Sequence, residues 1–451
     1  MSATHAARGS DAPATTSPPP SPRLPLGRPF AAQLTSTGLA NLGDGLLGTL
    51  VPLLALGLTS SPAQISLLSA ATWLPWLLFG LAAGVLIDRI DRRQAQITAL
   101  VIRAGLLAGG AVLGGLGLLS MQLLVALTLA YGITEVVADL GATSIVPDLV
   151  PRDRLSTANG RIVAVQQVAN GFLGAPLAGA LVVVGAGVGL GSAAALAALA
   201  ALVLLVGLRG SYRHAPARED SPARPARPTR RSPLARPLAE VREGLSFLVH
   251  HPVVRPMVIT SSVLNFASTG YFAVFILWVV GATSHVGLTE AQFPLLMLGF
   301  AAGAVGGSFL APTVRNRFGE LPTIVASLTL NSLLLLALIP VADGVLLAAV
   351  LALVGVLNSI GNVVSMALRQ RIVPGELLGR VGGASRTLAY GLMPLGAIAG
   401  GLVAERWGLV ATFVGAGVIS FAACVYLALT VRPSMIDDAE RSLGTGRPAD
   451  G

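Results

Sequence analysis

Along the chain, apolar residues gather into about twelve runs, each long enough to cross a bilayer as helix, separated by short polar stretches that hold the arginines. The runs fall at roughly 33–57, 63–87, 95–118, 121–145, 161–186, 189–208, 255–281, 290–313, 321–341, 343–366, 380–404 and 408–430. Arg8, Arg23 and Arg28 precede the first run, Arg89, Arg92 and Arg93 follow the second, and Arg152, Arg154 and Arg161 follow the fourth. The same side receives 209–255, then Arg315 and Arg317, then Arg369, Arg371 and Arg380, and finally Arg432, Arg441 and Arg447. In the opposite loops stands only Arg406. Because basic loops are retained in the cytoplasm, this pattern predicts an all-α membrane protein of about twelve transmembrane helices with both termini cytoplasmic. A multi-pass protein of the cell membrane, a bacterial plasma membrane, is expected.

Composition strengthens that expectation. Apolar residues make up 53% of 451, charged residues 11%, and mean hydropathy is +0.76, whereas soluble domains carry roughly 25% charged residues. A formal charge of +9 elsewhere suggests nucleic acid, but here the basic residues border the spans, where topology and anionic lipid account for them. No nucleic acid partner is expected. All 30 basic residues are arginine, so no Gly-x-x-x-x-Gly-Lys phosphate loop can form and ATP-driven transport by this chain is not expected. His5, His214, His250, His251 and His285 fall in tails, loops or an interfacial segment, and Cys424 is the lone cysteine. Neither zinc spacing nor a catalytic constellation appears, so the chain reads as a non-enzyme without metal or cofactor.

Two proline-rich stretches divide the chain. Residues 1–29 read as a disordered cytoplasmic tail, and the basic stretch around Pro222, Pro225, Pro228, Pro233 and Pro237 separates six runs from six. The expected organisation is a half over 30–209, a cytoplasmic linker over 210–252, a second half over 253–432 and a tail over 433–451. Within the linker, Leu238, Val241, Leu245, Phe247 and Leu248 suit an amphipathic helix on the inner leaflet. The halves are also related in sequence at an offset of 223 residues: Val150-Pro151 matches Val373-Pro374, Leu155 matches Leu378, Gly160 matches Gly383, Gly84 matches Gly307 and Arg92 matches Arg315. Parallel duplication of this kind relates two six-helix halves by an axis along the membrane normal.

Between the second and third runs the residues read Gly84-Val-Leu-Ile-Asp88-Arg89-Ile-Asp91-Arg92-Arg93. This resembles the cytoplasmic signature of the major facilitator superfamily: a glycine, then Asp-Arg, then a basic pair. Gly84 admits close helix approach, Asp88 can pair across the half-interface, and the arginines hold the turn at the headgroups. In the second half Ala311 and Pro312 stand where Asp88 and Arg89 stand in the first. Within the superfamily, the run from Pro147-Asp148 through Pro151 and Leu155 to Asn159-Gly160, with Leu378-Gly379-Arg380 and Gly382-Gly383 later, is similar to the branch of siderophore exporters and macrolide or multidrug efflux pumps. The resemblance covers roughly 31–432 and implies the major facilitator fold. It also implies a cytoplasmic charge network that breaks during switching, for which Arg103, Glu135, Asp139 and Arg386 are candidates beside the signature.

Polar residues at membrane depth carry the remaining information, because each is costly there. Asp44 lies about 11 residues into the first run, near midplane, with Asn41 on the same face and no first-half arginine expected at its level. A carboxylate at that depth loses its hydration, which suits a proton carrier or a cation site; a structural Asp satisfied by Asn41 is the alternative. Glu135 and Asp139, at i and i+4, share a face, with Arg103 expected beside Glu135, Asp139 within reach of Arg89 or Arg92, and Arg386 as a partner for Asp88. Gln166, Gln167 and Asn170 precede Gly171 to Gly179, a stretch that resembles an antiporter element only in part, since Ala175 separates Gly174 from Pro176. Asn265, Asn358 and Asn362, with Tyr271 and Trp278, are candidates to line a cavity or to bond across helices.

A monomeric secondary active transporter is therefore expected, a proton-coupled exporter of a small apolar or amphipathic compound working by alternating access. Its partners would be the lipid bilayer, a small-molecule substrate and protons. An importer or uniporter, or a transport-dead receptor, are the alternatives.

Overall fold

A computed structural model describes residues 26–87, 90–212, 235–375 and 377–444, and these are almost wholly helical. The first half begins with α1 (Arg28–Leu56), α2 (Pro62–Ile87), α3 (Arg92–Gly115) and α4 (Met121–Ser144). A short α5 (Val146–Leu149) and a tight turn then lead into one long rod. That rod is α6 (Leu155–Gln167), a π-helical stretch (Val168–Gly174) and α7 (Ala175–Val182), and α8 (Ala186–Gly207) closes the half. After the linker come α9 (Ala235–His250), α10 (Val254–Val279), α11 (Phe293–Phe318), α12 (Glu320–Ala337) and α13 (Gly344–Ile372). The chain ends with α14 (Leu378–Gly391), α15 (Met393–Trp407), α16 (Leu409–Thr430) and α17 (Pro433–Ser442).

Among the described residues ten stretches are long and apolar enough to cross a membrane, with Arg380–Trp407 spanning α14 and α15 as one. Two expected runs lie outside those ten. Run 63–87 is the helix α2, and run 161–186 is the interrupted rod α6 to α7. Proline explains both interruptions: Pro176 and Pro394 lack the N–H that an unbroken helix would use, and each sits in the first turn of the helix that resumes.

Close packing is carried by glycine where backbones cross. A Cβ on Gly45 of α1 would overlap the carbonyl of Asn170, and one on Gly174 would overlap Gly45, so α1 presses directly on the π-helical stretch. Likewise Gly303 and Gly307 of α11 admit the backbone of α13 at Ala352 and Val356. Caps are explicit at several starts: Asp91 accepts from the Gln94 N–H at 3.1 Å, Ser120 from Leu123 at 3.3 Å and Asp343 from Leu346 at 2.8 Å.

Both ends of the described chain lie on one face, here called the termini face; the opposite one is the far face. The halves meet toward the far face. Ser61 at the start of α2 donates to Glu405 near the end of α15 at 2.9 Å, Gly401 lies under Ser66, Gly179 abuts Pro294, and Ala70, Ala273 and Ala397 pack together. Beneath these contacts is an apolar core in which Tyr271, Phe275 and Phe413 are fully buried. Toward the termini face the halves instead enclose cavities, lined by the termini-side portions of α1, α3, α4, α13 and α14. The molecule is thus closed at the far face and open toward the termini face.

At the termini face the segment after Arg432 opens with α17, docked by Ile436 into a cluster with Ile372, Val373 and Val431. Arg371 at the end of α13 binds both Glu320 of α12 and, at 3.2 Å, Glu440 of α17. In the first half the start of the linker is fastened to Asp91. That carboxylate accepts Ser211 Oγ at 2.7 Å and the Tyr212 N–H at 2.9 Å.

Candidate functional site

In the first half, α1, α3 and α4 each deliver one member of a buried ion centre. Arg103 of α3 donates through Nη1 to Asp44 Oδ1 at 2.9 Å; its side chain is 3% exposed and that of Asp44 16%. Tyr131 of α4 donates its hydroxyl to the same carboxylate oxygen. The guanidinium lies 4.5 Å from the centre of the Tyr131 ring, and its Nε donates to Thr134 Oγ1 at 3.4 Å. Arg103 is therefore held on a carboxylate, an aromatic face and a hydroxyl. A buried charge so far from water needs such a set, since an unpaired one at this depth costs several kcal/mol, about 3–5 when a partner is removed.

This centre forms one wall of a cavity of about 360 Å³. Glu135 and Asp139 line it from α4, Gln166 and Asn170 from the rod, Asn41 from α1, and Arg386 and Tyr390 reach it from α14 of the other half. The charged lining is three carboxylates against two guanidiniums, an excess of one acid. Asp139 accepts from Gln166 Nε2 at 3.4 Å and feels the charge of Arg386.

Several expectations change here. Arg103 was expected beside Glu135 and no arginine beside Asp44; instead Arg103 pairs with Asp44, and Glu135 acts on it only through space. Asn41 does not satisfy Asp44, because its amide donates to the Thr37 carbonyl at 2.9 Å. Arg92 is not available to Asp139: it binds Asp148 at 2.8 Å. Arg93 donates to the Leu205 carbonyl at 3.0 Å and so joins α3 to α8. Asp88 and Arg89 lie outside the described residues, and Gly84 falls in the part of α2 described only as backbone, so the pairing of Asp88 with Arg386 lies outside them as well. Tyr131 and Thr134 were missed, although Tyr131 stands one turn before Glu135 on the same helix face.

The second half has a different cavity, of about 610 Å³. Asn358 and Asn362 of α13 line it and bond to each other at 3.0 Å, and Asn265 lines it while donating to the Ala389 carbonyl at 3.2 Å. Tyr271 and Trp278, expected here, line none of the three cavities: Tyr271 donates to the Leu335 carbonyl at 3.1 Å within the core, and Trp278 stacks on His285. A third cavity, of about 410 Å³, lies toward the far face among Phe272, Phe275, Phe293 and Phe300. Trp73 of α2 borders all three and packs against Tyr390 with ring centres 5.6 Å apart.

Outside the spans two groups have shifted acidities. Burial alone would raise the Asp91 carboxyl, but hydrogen bonds from Ser211 and from backbone N–H groups including those of Gln94 and Tyr212 hold it below its usual value. Burial lowers His251, whose Nδ1 accepts from the N–H groups of Val253 and Val254, both at 3.2 Å, and so is needed unprotonated.

Comparison with known proteins adds the context. A family model described as transmembrane secretion effector matches residues 27–445. The multidrug efflux pump Tap of Mycobacterium tuberculosis (strain ATCC 25618 / H37Rv) is 28% identical over 397 residues, covering 84% of this chain and 88% of the pump. The enterobactin exporter EntS of Citrobacter koseri is 28% identical over 367 residues, covering 78% and 80%. Among solved structures, nucleoside transporter NupG superposes with TM-score 0.66 at 14% identity, covering 90% of this chain and 99% of NupG. A bacterial homologue of the human lysosomal transporter Spinster, inward-facing and unoccupied, superposes with TM-score 0.63 at 16% identity, covering 94% and 98%. The structural likenesses establish a shared fold.

Proposed function

The chain belongs to the transmembrane secretion effector family of the major facilitator superfamily, and on that premise we propose that it is a proton-coupled exporter of a small amphipathic compound across the cell membrane. The single observation that carries this reading is the Asp44–Arg103–Tyr131 centre, set in a cavity that also holds Glu135 and Asp139. An acidic cavity at membrane depth with one carboxylate in excess is suited to taking up a proton. When Asp44 is protonated its ion pair with Arg103 is lost, and the guanidinium turns to the remaining carboxylates, which already act on it through space. Uptake of a proton thus re-pairs α1, α3 and α4, the three helices that meet at the centre. A proton descending 100 mV supplies roughly 2.3 kcal/mol before any pH difference is counted. The names of Tap and EntS, a drug pump and a siderophore exporter, support export as the direction.

The same reading makes the termini face cytoplasmic and counts α2 and the rod α6 to α7 as crossings, twelve in all. The state open toward the termini face is then the one that loads substrate from the cytoplasm. Gln166 and Asn170 serve the proton site, and Asn265, Asn358 and Asn362 the substrate.

Proteoliposomes test the coupling. With the pH gradient imposed, accumulation of a fluorescent drug should depend on the gradient and disappear with a protonophore, while Asp44→Asn should bind drug without accumulating it. Accumulation that ignores the protonophore, in the wild type, would sink the proton-coupled reading. Reporter fusions after Arg432 and within 218–237 should both report cytoplasm, and an external signal from either would overturn the topology.

A further inference from the structure

We infer that the second-half cavity binds the acidic group of the substrate, so that the exported compound is an amphipathic organic anion, a carboxylate or phenolate with an apolar body. This deepens the export reading by naming the substrate class. Arg369, half-buried near the end of α13, and Arg386 of α14, whose side chain is exposed, are the charged residues lining that cavity among the described residues; neither has an ion-pair partner within 4.0 Å there, and Asp139 acts on Arg386 through space. Of the other arginines within the two helical halves whose side chains are described and half-buried or more, Arg103 has Asp44, Arg92 has Asp148, Arg380 has Glu243 and Arg154 has Asp153 at 4.0 Å, while Arg93 is held by the Leu205 carbonyl. Arg315 has Glu320 within 3.9 Å.

The rest of the described lining is uncharged and rich in hydrogen-bonding groups. Asn331 Oδ1 and Ser385 Oγ line the same cavity and have no protein partner, although both atoms are buried and Ser385 is only 4% exposed. Buried polar groups without partners are uncommon in a finished structure, and a cavity that gathers two of them beside two unpaired guanidiniums fits a polar ligand. The charge of the described lining points to the sign of that ligand: two positive charges with no acid among the described lining residues favour an anion, and a guanidinium fork suits a carboxylate in two-point contact.

The apolar part has its own place. Trp73 and Ser268 border both this cavity and the aromatic cavity toward the far face, so a molecule anchored at the arginines can extend its body among Phe272, Phe275 and Phe300. Arg386 also lines the first-half cavity with Asp139. Substrate anion and Asp139 would therefore contend for one guanidinium, a direct link between loading and the acidic cavity.

The test uses the full chain in neutral detergent, without a gradient, so that its failure is distinct from failure of proton coupling. The probes are 1-pyrenebutyric acid and its methyl ester, which share the apolar body and differ at the head, an anionic carboxylate in one and a neutral methyl ester in the other, followed by quenching of tryptophan fluorescence. The acid should bind at least tenfold tighter than the ester. Arg369→Gln should remove that preference and leave the ester's affinity within about twofold, whereas Arg369→Lys should retain part of it. Arg371→Gln, which touches only the Glu320 and Glu440 contacts, should leave the preference intact. Should Arg369→Gln fail to fold, Asn358→Asp places a carboxylate in the same cavity and should likewise weaken the acid alone. Equal affinity for acid and ester, no binding of the acid, or a preference that survives both Arg369→Gln and Asn358→Asp would overturn the proposal. Displacement of the acid by an equimolar anionic phospholipid would assign the site to a lipid headgroup and overturn it too.

Discussion

The two halves carry the same helices at an offset of 223 residues and opposite chemistry at the same positions. Glu135 corresponds to Asn358 and Asp139 to Asn362, so each carboxylate of α4 is matched by a neutral amide in α13, the shorter Asn in place of Glu and the isosteric Asn in place of Asp. Asp44, Arg103 and Tyr131 correspond to Ala267, Ala326 and Val354, which abolishes the ion centre altogether. Helix order is conserved while charge, and at the ion centre side-chain bulk, is removed. Duplication thus supplied one scaffold twice, and the site chemistry was divided: titratable groups in the first copy, neutral hydrogen-bonding groups and unpaired arginines in the second. The linker follows the same asymmetry. Asp91 grips it in the first half, whereas the corresponding Val314 has no group with which to do so.

The comparison breaks most severely at Asp44. Asp44→Asn leaves Arg103 buried without its counter-charge and should cost about 3–5 kcal/mol of stability as well as proton-driven export. Adding Arg103→Gln should restore most of the melting temperature and none of the coupling; a single variant as stable as its parent would show that Arg103 has another partner. Next, the pair Glu135→Gln with Asp139→Asn makes the first half resemble the second. The fold should survive, while export falls at least tenfold and loses its pH dependence. Unchanged export in the double variant would move coupling wholly to Asp44.

Gly45→Ala sharpens the comparison differently, because Ser268 stands at the corresponding position of the second half and tolerates a side chain. In the first half the new methyl meets the Asn170 carbonyl and should cost about 1–3 kcal/mol, read as a fall in melting temperature.

Two groups at the termini face, Asp91 of the first half and His251 at the end of the linker, have shifted acidities, and their windows differ. The Asp91 carboxyl is held below its usual value in the fold, so its contribution is full above about pH 4 and is lost as pH falls through the folded value. His251 is likewise lowered, so acidification from about pH 6.5 downward protonates the unfolded chain first and withdraws stability. Thermal scans should show a first decline that Asn in place of His251 removes and a second, at lower pH, that Asp91→Asn removes at a cost of about 1 kcal/mol at neutral pH. The smallest effect belongs to the far face. Glu405→Gln weakens an exposed contact with Ser61 and should shift the open and closed populations only about twofold, measured by labelling an engineered cysteine in a Cys424→Ser background.

Much of the architecture was legible because lipid imposes a simple rule on the chain: long apolar runs and a one-sided distribution of arginine. The ion centre was half legible. Asp44 stood out by depth, but its depth was counted from residue 33, whereas α1 begins at Arg28, five residues or about 7.5 Å earlier. The long Arg103 side chain reaches carboxylates above and below its own level, so depth by itself does not choose between Glu135 and Asp44. Tyr131 was hidden for another reason: a tyrosine in an apolar helix is ordinarily core, and only its position one turn from Glu135 marked it. The π-helical stretch was hidden because Gly171, Gly174 and Pro176 are equally consistent with plain close packing. Arg369 read as one more basic residue of a cytoplasmic loop until α13 proved to run on to Ile372 and carry it into a cavity wall.

The crossing of α1 over the π-helical stretch has a mechanical meaning. At Gly45 two backbones touch with nothing between them, and such a point contact permits tilting more readily than sliding. Arg28 is 17 residues away, a lever arm of about 25 Å. A tilt of about 10° about that fulcrum carries the end of α1 through roughly 4 Å, yet moves the Cα of the adjoining Asp44 by less than about 1 Å. The carboxylate sits where the swing vanishes, so the bonds of the ion centre keep their geometry while the rim of the cavity travels.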